Sequence, residues 1–160
     1  MTEPLSAEQK QRRKLAGARH KARHFAMQGL YQWQMTGDAA SVIEAQFRVE
    51  YNMKGTDFEF FRELLSGVQT QAEDIDTVLT PLSTERSLDE CDPVTLALLR
   101  IGVYELKFRI DVPYKVAINE AVNLAKKFGP EDSHKFVNGL LDKAANILRE
   151  LEVNAQRSGA

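Results

Sequence analysis

The chain has 160 residues, 43% of them hydrophobic and 28% charged, and a formal net charge of −2. That length suits one domain or two small subdomains on a shared core, and the composition excludes a disordered chain. Cys91 is the only cysteine, which excludes an intrachain disulfide and fits a reducing compartment.

The charge is unevenly spread. Residues 1–24 carry seven basic side chains (Lys10, Arg12, Arg13, Lys14, Arg19, Lys21 and Arg23) against Glu3 and Glu8. The remainder carries fourteen basic and twenty-one acidic residues. A basic arm on an acidic body points to a polyanion, and reads equally well as a solvated tail. No apolar run approaches the roughly 20 residues of a membrane span. Met1 to Lys14 is polar throughout, without a secretory apolar segment. A cytoplasmic protein is expected, with no membrane partner.

Residues 1–17 are aperiodic and read as a flexible basic extension. A helical domain over 18–152 and a frayed tail over 153–160 follow. The first strong helix starts near Ala18. Ala22, Ala26, Gly29, Leu30 and Trp33 form one apolar stripe, and Thr36-Gly37-Asp38 ends it. A second helix over about 39–51 turns Val42, Ile43 and Phe47 inward. Thr56 and Glu59 make a capping box for a third, with Phe58, Phe61, Leu65 and Val68 on one face. Ile75, Val78, Leu79 and Leu82 mark a short helix interrupted at Pro81. Residues 83–91 read as a loop.

Asp92-Pro93 is a strong helix start, with a carboxylate at the N-cap and proline at N1. The helix from 93 to about 109 is apolar on nearly every side, as a central helix should be. Asp111-Val112-Pro113 opens the next, with Tyr114, Ala117, Ile118, Ala121, Leu124 and Phe128 inward and Gly129 as its stop. The last helix uses Val137, Leu140, Leu141, Ala144, Ile147, Leu148 and Leu151. The fold class is therefore all-α, with about seven helices and antiparallel neighbours.

Catalytic chemistry finds no support. His20 and His24 stand at i, i+4, but a zinc site needs three or four ligands and no second spaced pair exists. No phosphate-binding loop or nucleophile elbow is present. Asp132, Ser133 and His134 are sequence neighbours, which rarely converge as a triad. No catalytic residue, metal or cofactor is expected.

Two surfaces suit nucleic acid better. At about 100° per residue, His20, Lys21, His24, Gln28 and Tyr31 fall opposite the apolar stripe of the first helix. Arg19 and Arg23 flank that stripe at its N-terminal end, beyond the expected reach of the core. Cations of this kind hold phosphates, and planar groups contact bases. Tyr31 alternatively packs on another helix. On the last helix Phe136 edges the apolar stripe, with Asp132, Lys135, Gly139 and Lys143 further out. Phe136 either stacks an unpaired base or closes the core margin.

The stretch Asp111–Gly129 (DVPYKVAINEAVNLAKKFG), continued by Pro130–Lys143 (PEDSHKFVNGLLDK), resembles the signature of the NusB transcription-antitermination family. Ala22-Arg23 leading to Tyr31 and Trp33, Phe61-Arg62 followed by Leu64 to Val68, and Leu98 to Leu106 resemble the same family. The likeness covers about residues 18–150. It implies two perpendicular three-helix bundles forming one compact domain. It also implies binding of boxA, a short single-stranded element of nascent, chiefly ribosomal, RNA. That binding occurs together with NusE, a ribosomal small-subunit protein. The implied complex joins RNA polymerase with NusA and NusG and suppresses premature termination.

By position, the resemblance implies RNA contacts at Arg19, Lys21, Arg23 and Gln28, and at Asp132, Lys135 and Phe136. It implies NusE contacts at Tyr31, Val94 and Thr95, although Val94-Thr95-Leu96 stands where some relatives carry charge. Two other readings remain open. One is a helical adaptor in ribosomal RNA processing or ribosome assembly without specific RNA readout. The other is a fragment of a methyltransferase that carries a NusB-like domain.

Overall fold

A computed structural model describes residues 3–159. Residues 1, 2 and 160, the outer ends of the expected extension and tail, lie outside the described residues. Eight α-helices and one 3-10 turn make up the regular structure of the described residues, with no strand among them. They are α1 (Ala7–Thr36), α2 (Ala40–Glu50), α3 (Phe58–Thr70), α4 (Ala72–Leu82), α5 (Pro93–Phe108), α6 (Tyr114–Phe128), α7 (Ser133–Leu148) and α8 (Glu150–Arg157). The 3-10 turn spans Leu88–Glu90. No helix among the described residues is long and apolar enough to cross a membrane.

α1, α2 and α3 pack on one another, and α5, α6 and α7 do the same. These two three-helix bundles meet where α1 and α3 lie on α5. α4 spans the side of the second bundle against α5 and α7. α5 is central, as its all-round apolar sequence requires: eleven of its sixteen residues are buried. Asp92 caps it, accepting the Thr95 amide at 3.0 Å, with Pro93 at N1.

Several expected boundaries move. α1 begins at Ala7 rather than near Ala18. Ser6 and Gln9 form a reciprocal capping box there, and every residue from Ala7 to Ala16 is a good helix former. The other end of α1 is as expected: Gly37 adopts the left-handed region, φ 77°, and its amide donates to the Trp33 carbonyl. The cap of α3 is Asp57, which accepts the Phe60 amide at 3.1 Å, and not Thr56. Val42, expected inward, is exposed.

The expected last helix is two helices. The chain leaves helical geometry at Arg149, and Ile147 and Leu151 turn outward, Leu151 being 87% exposed. Beyond the break Val153 enters the core and α8 continues to Arg157, where a frayed tail was expected. Arg149 explains the break. Its buried guanidinium donates to the carbonyls of Leu106 at 2.7 Å, Arg109 at 2.8 Å and Glu105 at 3.2 Å. These carbonyls lie at the C-terminal end of α5, where a cation is favoured. Arg149 also pairs with Glu152, whose other oxygen accepts the Tyr114 amide at 2.9 Å at the start of α6. Burial pushes the Glu152 carboxyl up, but the Tyr114 amide and Arg149 together hold it below the usual range. One ion pair on the last two helices thus closes both helix ends at the α5–α6 corner.

Arg149→Ala removes a buried cation from three carbonyls. It should lower stability by about 3 kcal/mol, read as a shift in the urea midpoint.

Candidate nucleic-acid interface

The cationic end of α1 is sorted by depth. Arg23 is not on the surface. It is 2% exposed and forms a two-point ion pair with Glu105 of α5, which is 0% exposed. The Nε–Oε2 distance is 2.9 Å and the Nη2–Oε1 distance 2.6 Å. Burial pushes the Glu105 carboxyl up, while the Arg23 hydrogen bonds and charge pull it down. The expectation of an Arg23 beyond the core's reach is thereby corrected: α5 passes beneath this part of α1, and an acid in an apolar helix draws the arginine inward.

Phe60 of α3 organises the neighbouring cations. The guanidinium carbons of Arg19, Arg23 and Arg109 lie 5.2, 5.1 and 5.0 Å from its ring centre. Carboxylates interleave with them. Glu120 stands 3.7 Å from Arg23, and Asp111 and Glu63 pair with Arg109 at 2.9 and 2.7 Å. The hydrogen bonds from Arg109 hold the Asp111 carboxyl down at about 2, against the opposing effect of burial.

Arg19 is held more loosely. It is partly exposed, 3.6 Å from Asp57 and 3.9 Å from Asp111, and its Nε has no hydrogen-bond partner. Lys21 is exposed. His20 pairs with Glu120 at 2.6 Å. His24 packs on Phe128 at 4.9 Å between ring centres. Burial, Lys127 and His20 all lower the His24 pKa. Gln28 is half-buried, with Oε1 buried and unpartnered. The cations the family-like strip presents to solvent are therefore the loosely paired Arg19 and Lys21, unpaired among the described residues.

The second patch sits at the start of α7. Asp132 holds φ 65°, the one described non-glycine residue in the left-handed region. It is exposed, with Lys135 3.5 Å away. The turn before it is tight. A side chain at Gly129 would meet Ser133 Oγ at 2.4 Å and the Ala125 carbonyl at 2.8 Å, so close approach and not a positive φ selects glycine there. Phe136 stands at the core margin, one of its two sequence readings. It packs against the core, and Arg86 lies 4.3 Å over its ring. Both line an open cleft of about 270 Å³ with Asp132, Lys135, Gly139 and Lys143.

Arg86 went unread because it stands in the irregular segment before α5, where no periodicity reports a direction. Phe128 was expected inside, yet it is exposed at the end of α6 against His24. It lies four residues before Asp132 in the chain, and so links the α1 strip to the turn that opens the second patch.

The expected partner residues divide. Tyr31 and Val94 share an apolar groove of about 510 Å³ with Gln28, Met35, Tyr51 and Phe128. Thr95 does not reach it. It is buried, with its hydroxyl donating to Asp92, and serves the cap of α5.

The model of the NusB family matches residues 20–146. The chain belongs to the NusB family. It is 58% identical over 143 residues to the transcription antitermination protein NusB of Teredinibacter turnerae, covering 89% of this chain and 97% of that one. Among solved structures, NusB of T. maritima superposes with a TM-score of 0.70 at 31% identity, covering 79% of this chain and 89% of that one. A chain in the crystal structure of the antitermination factors NusB and NusE in complex with dsRNA gives a TM-score of 0.67 at 25% identity, covering 84% and 98%. NusB-family membership places the chain among antitermination proteins and not among enzymes.

Arg23→Ala leaves Glu105 buried and unpaired and should cost about 3–5 kcal/mol in urea unfolding. Arg19→Ala, at a long and partly solvated pair, should cost about 1 kcal/mol or less.

Proposed function

We propose that this chain is a transcription antitermination factor of the cytoplasm. It binds boxA-type single-stranded RNA together with NusE and joins RNA polymerase with NusA and NusG. Family membership supports the role, and the solved relative with NusE and RNA supports the partners. The observation that carries the RNA reading is the Phe136 cleft: an aromatic ring packed at the core margin, a guanidinium over it, and Lys135 and Lys143 in the lining.

That arrangement suits an unpaired base. A base entering the cleft would exchange with Arg86 on the Phe136 ring, and the displaced guanidinium would remain within reach of a phosphate. Arg19 and Lys21 would hold the backbone on the α1 side. The groove containing Tyr31 and Val94 is apolar and suits a protein surface, and we assign NusE to it. Gln28 lines the same groove, at the junction of the two surfaces.

Phe136→Ala should weaken boxA RNA binding by about 1–3 kcal/mol, roughly five- to 150-fold. Arg19→Ala with Lys21→Ala should reduce the steepness of its salt dependence by about 1.4. Fluorescence anisotropy with labelled RNA, with and without NusE, checks both. Wild-type affinity in the Phe136 variant would overturn the placement of the base.

A further inference from the structure

The family match begins at residue 20, yet α1 begins at Ala7. The added turns are a continuation of one helix, so they need no nucleation of their own. Every residue from Ala7 to Gly17 is exposed. The register of these turns relative to the family-like strip therefore decides what they present.

At about 100° per residue, Lys10, Lys14, Lys21 and Gln28 lie within about 40° of one another around the helix. Arg13 falls about 60° to one side, in line with Tyr31. Gly17 lies on the same stripe, with open space where a side chain would be. The acids of the segment stay off this face. Glu8 projects about 160° away from Lys10 and pairs with Arg12. Arg12 itself lines a cleft against Val116 and Pro113 of the α6 end. Lys10, Arg13 and Lys14 make no ion pair among the described residues. The result is a straight row of free cations running about 16 Å from Lys10 to Lys21, interrupted only by a residue without a side chain.

We propose that the helical extension Ala7–Gly17 is an added RNA-binding segment, in which Lys10, Arg13 and Lys14 hold backbone phosphates of RNA running past the family-like site. It rests on the RNA-binding reading given above. Free cations on flexible stems set no demand on base identity, so the segment lengthens the footprint without adding sequence preference. Gly17 leaves the helix surface low where the strand crosses from one cluster of cations to the other.

The test compares the full chain with Lys10→Gln/Arg13→Gln/Lys14→Gln, which removes charge while keeping helix-forming residues. The probes are a short boxA RNA and the same RNA lengthened by about six nucleotides at its 5′ or its 3′ end, a length within the range of known single-strand sites. The wild-type chain should bind one of the lengthened RNAs more tightly than the short one. The variant should bind the short RNA like wild type, lose the gain on the longer one, and show there a salt slope shallower by about 2. Two outcomes overturn the inference while leaving the family-like site intact: no gain from either extension in wild type, or a gain that survives in the variant. An equal loss on short and long RNA also overturns it, since the cations would then act only by general attraction. If the wild-type chain binds none of the RNAs, the RNA-binding reading fails and the inference with it.

Discussion

The ion pair between Arg23 and Glu105 is the constraint around which this molecule is arranged. It joins α1 of one bundle to α5 of the other, with both partners almost fully out of water. A buried pair contributes little net stability over a well-packed apolar pair. Its geometry is nevertheless exacting, because each charge is costly if its partner moves. Two parallel N–H to O contacts fix the rotation of α1 as well as its distance from α5. That rotation determines which residues face solvent. With Arg23 turned inward, Lys21 and the row leading back to Lys10 must turn outward.

A second set of charges holds the far corner. Arg149 and Glu152 close the facing ends of α5 and α6, and Arg109 binds Asp111 and Glu63 beside them. These contacts fix where α6 begins. The helix then runs to Phe128 beneath His24, and the Gly129 turn sets α7 and its left-handed Asp132. The two candidate RNA patches are thus placed by one continuous run of rigid elements. Internal charges position the surface, and a different set of charges is presented on it.

The helices were largely legible because their apolar spacing is regular, and α5 announced itself by being apolar on all sides. The start of α1 was not, since Ala7 to Gly17 buries nothing and so shows no period; Ser6 and Gln9 were its only local signal. Arg23 was misplaced by the assumption that charge faces water. The clue lay in Glu105, an acid within the apolar run of α5, which required a buried cation to meet it. Thr95 was carried over by position onto a partner surface, yet here it completes the cap of its own helix. Spacing alone did not decide Phe136, which lies at the core margin with a ring that also lines an open cleft, and Arg86 depends on a loop whose path no local rule supplies.

The central claim is that the exposed α1 strip and the α7 patch act as one RNA surface while the buried pair stays intact. Backbone amide NMR during titration with boxA RNA tests it most directly. The signals of Lys21, Phe128, Lys135 and Phe136 should shift together along one binding curve, while Arg23 and Glu105 stay near their free positions. Shifts at one patch alone, or a large change at Arg23 and Glu105, would contradict it.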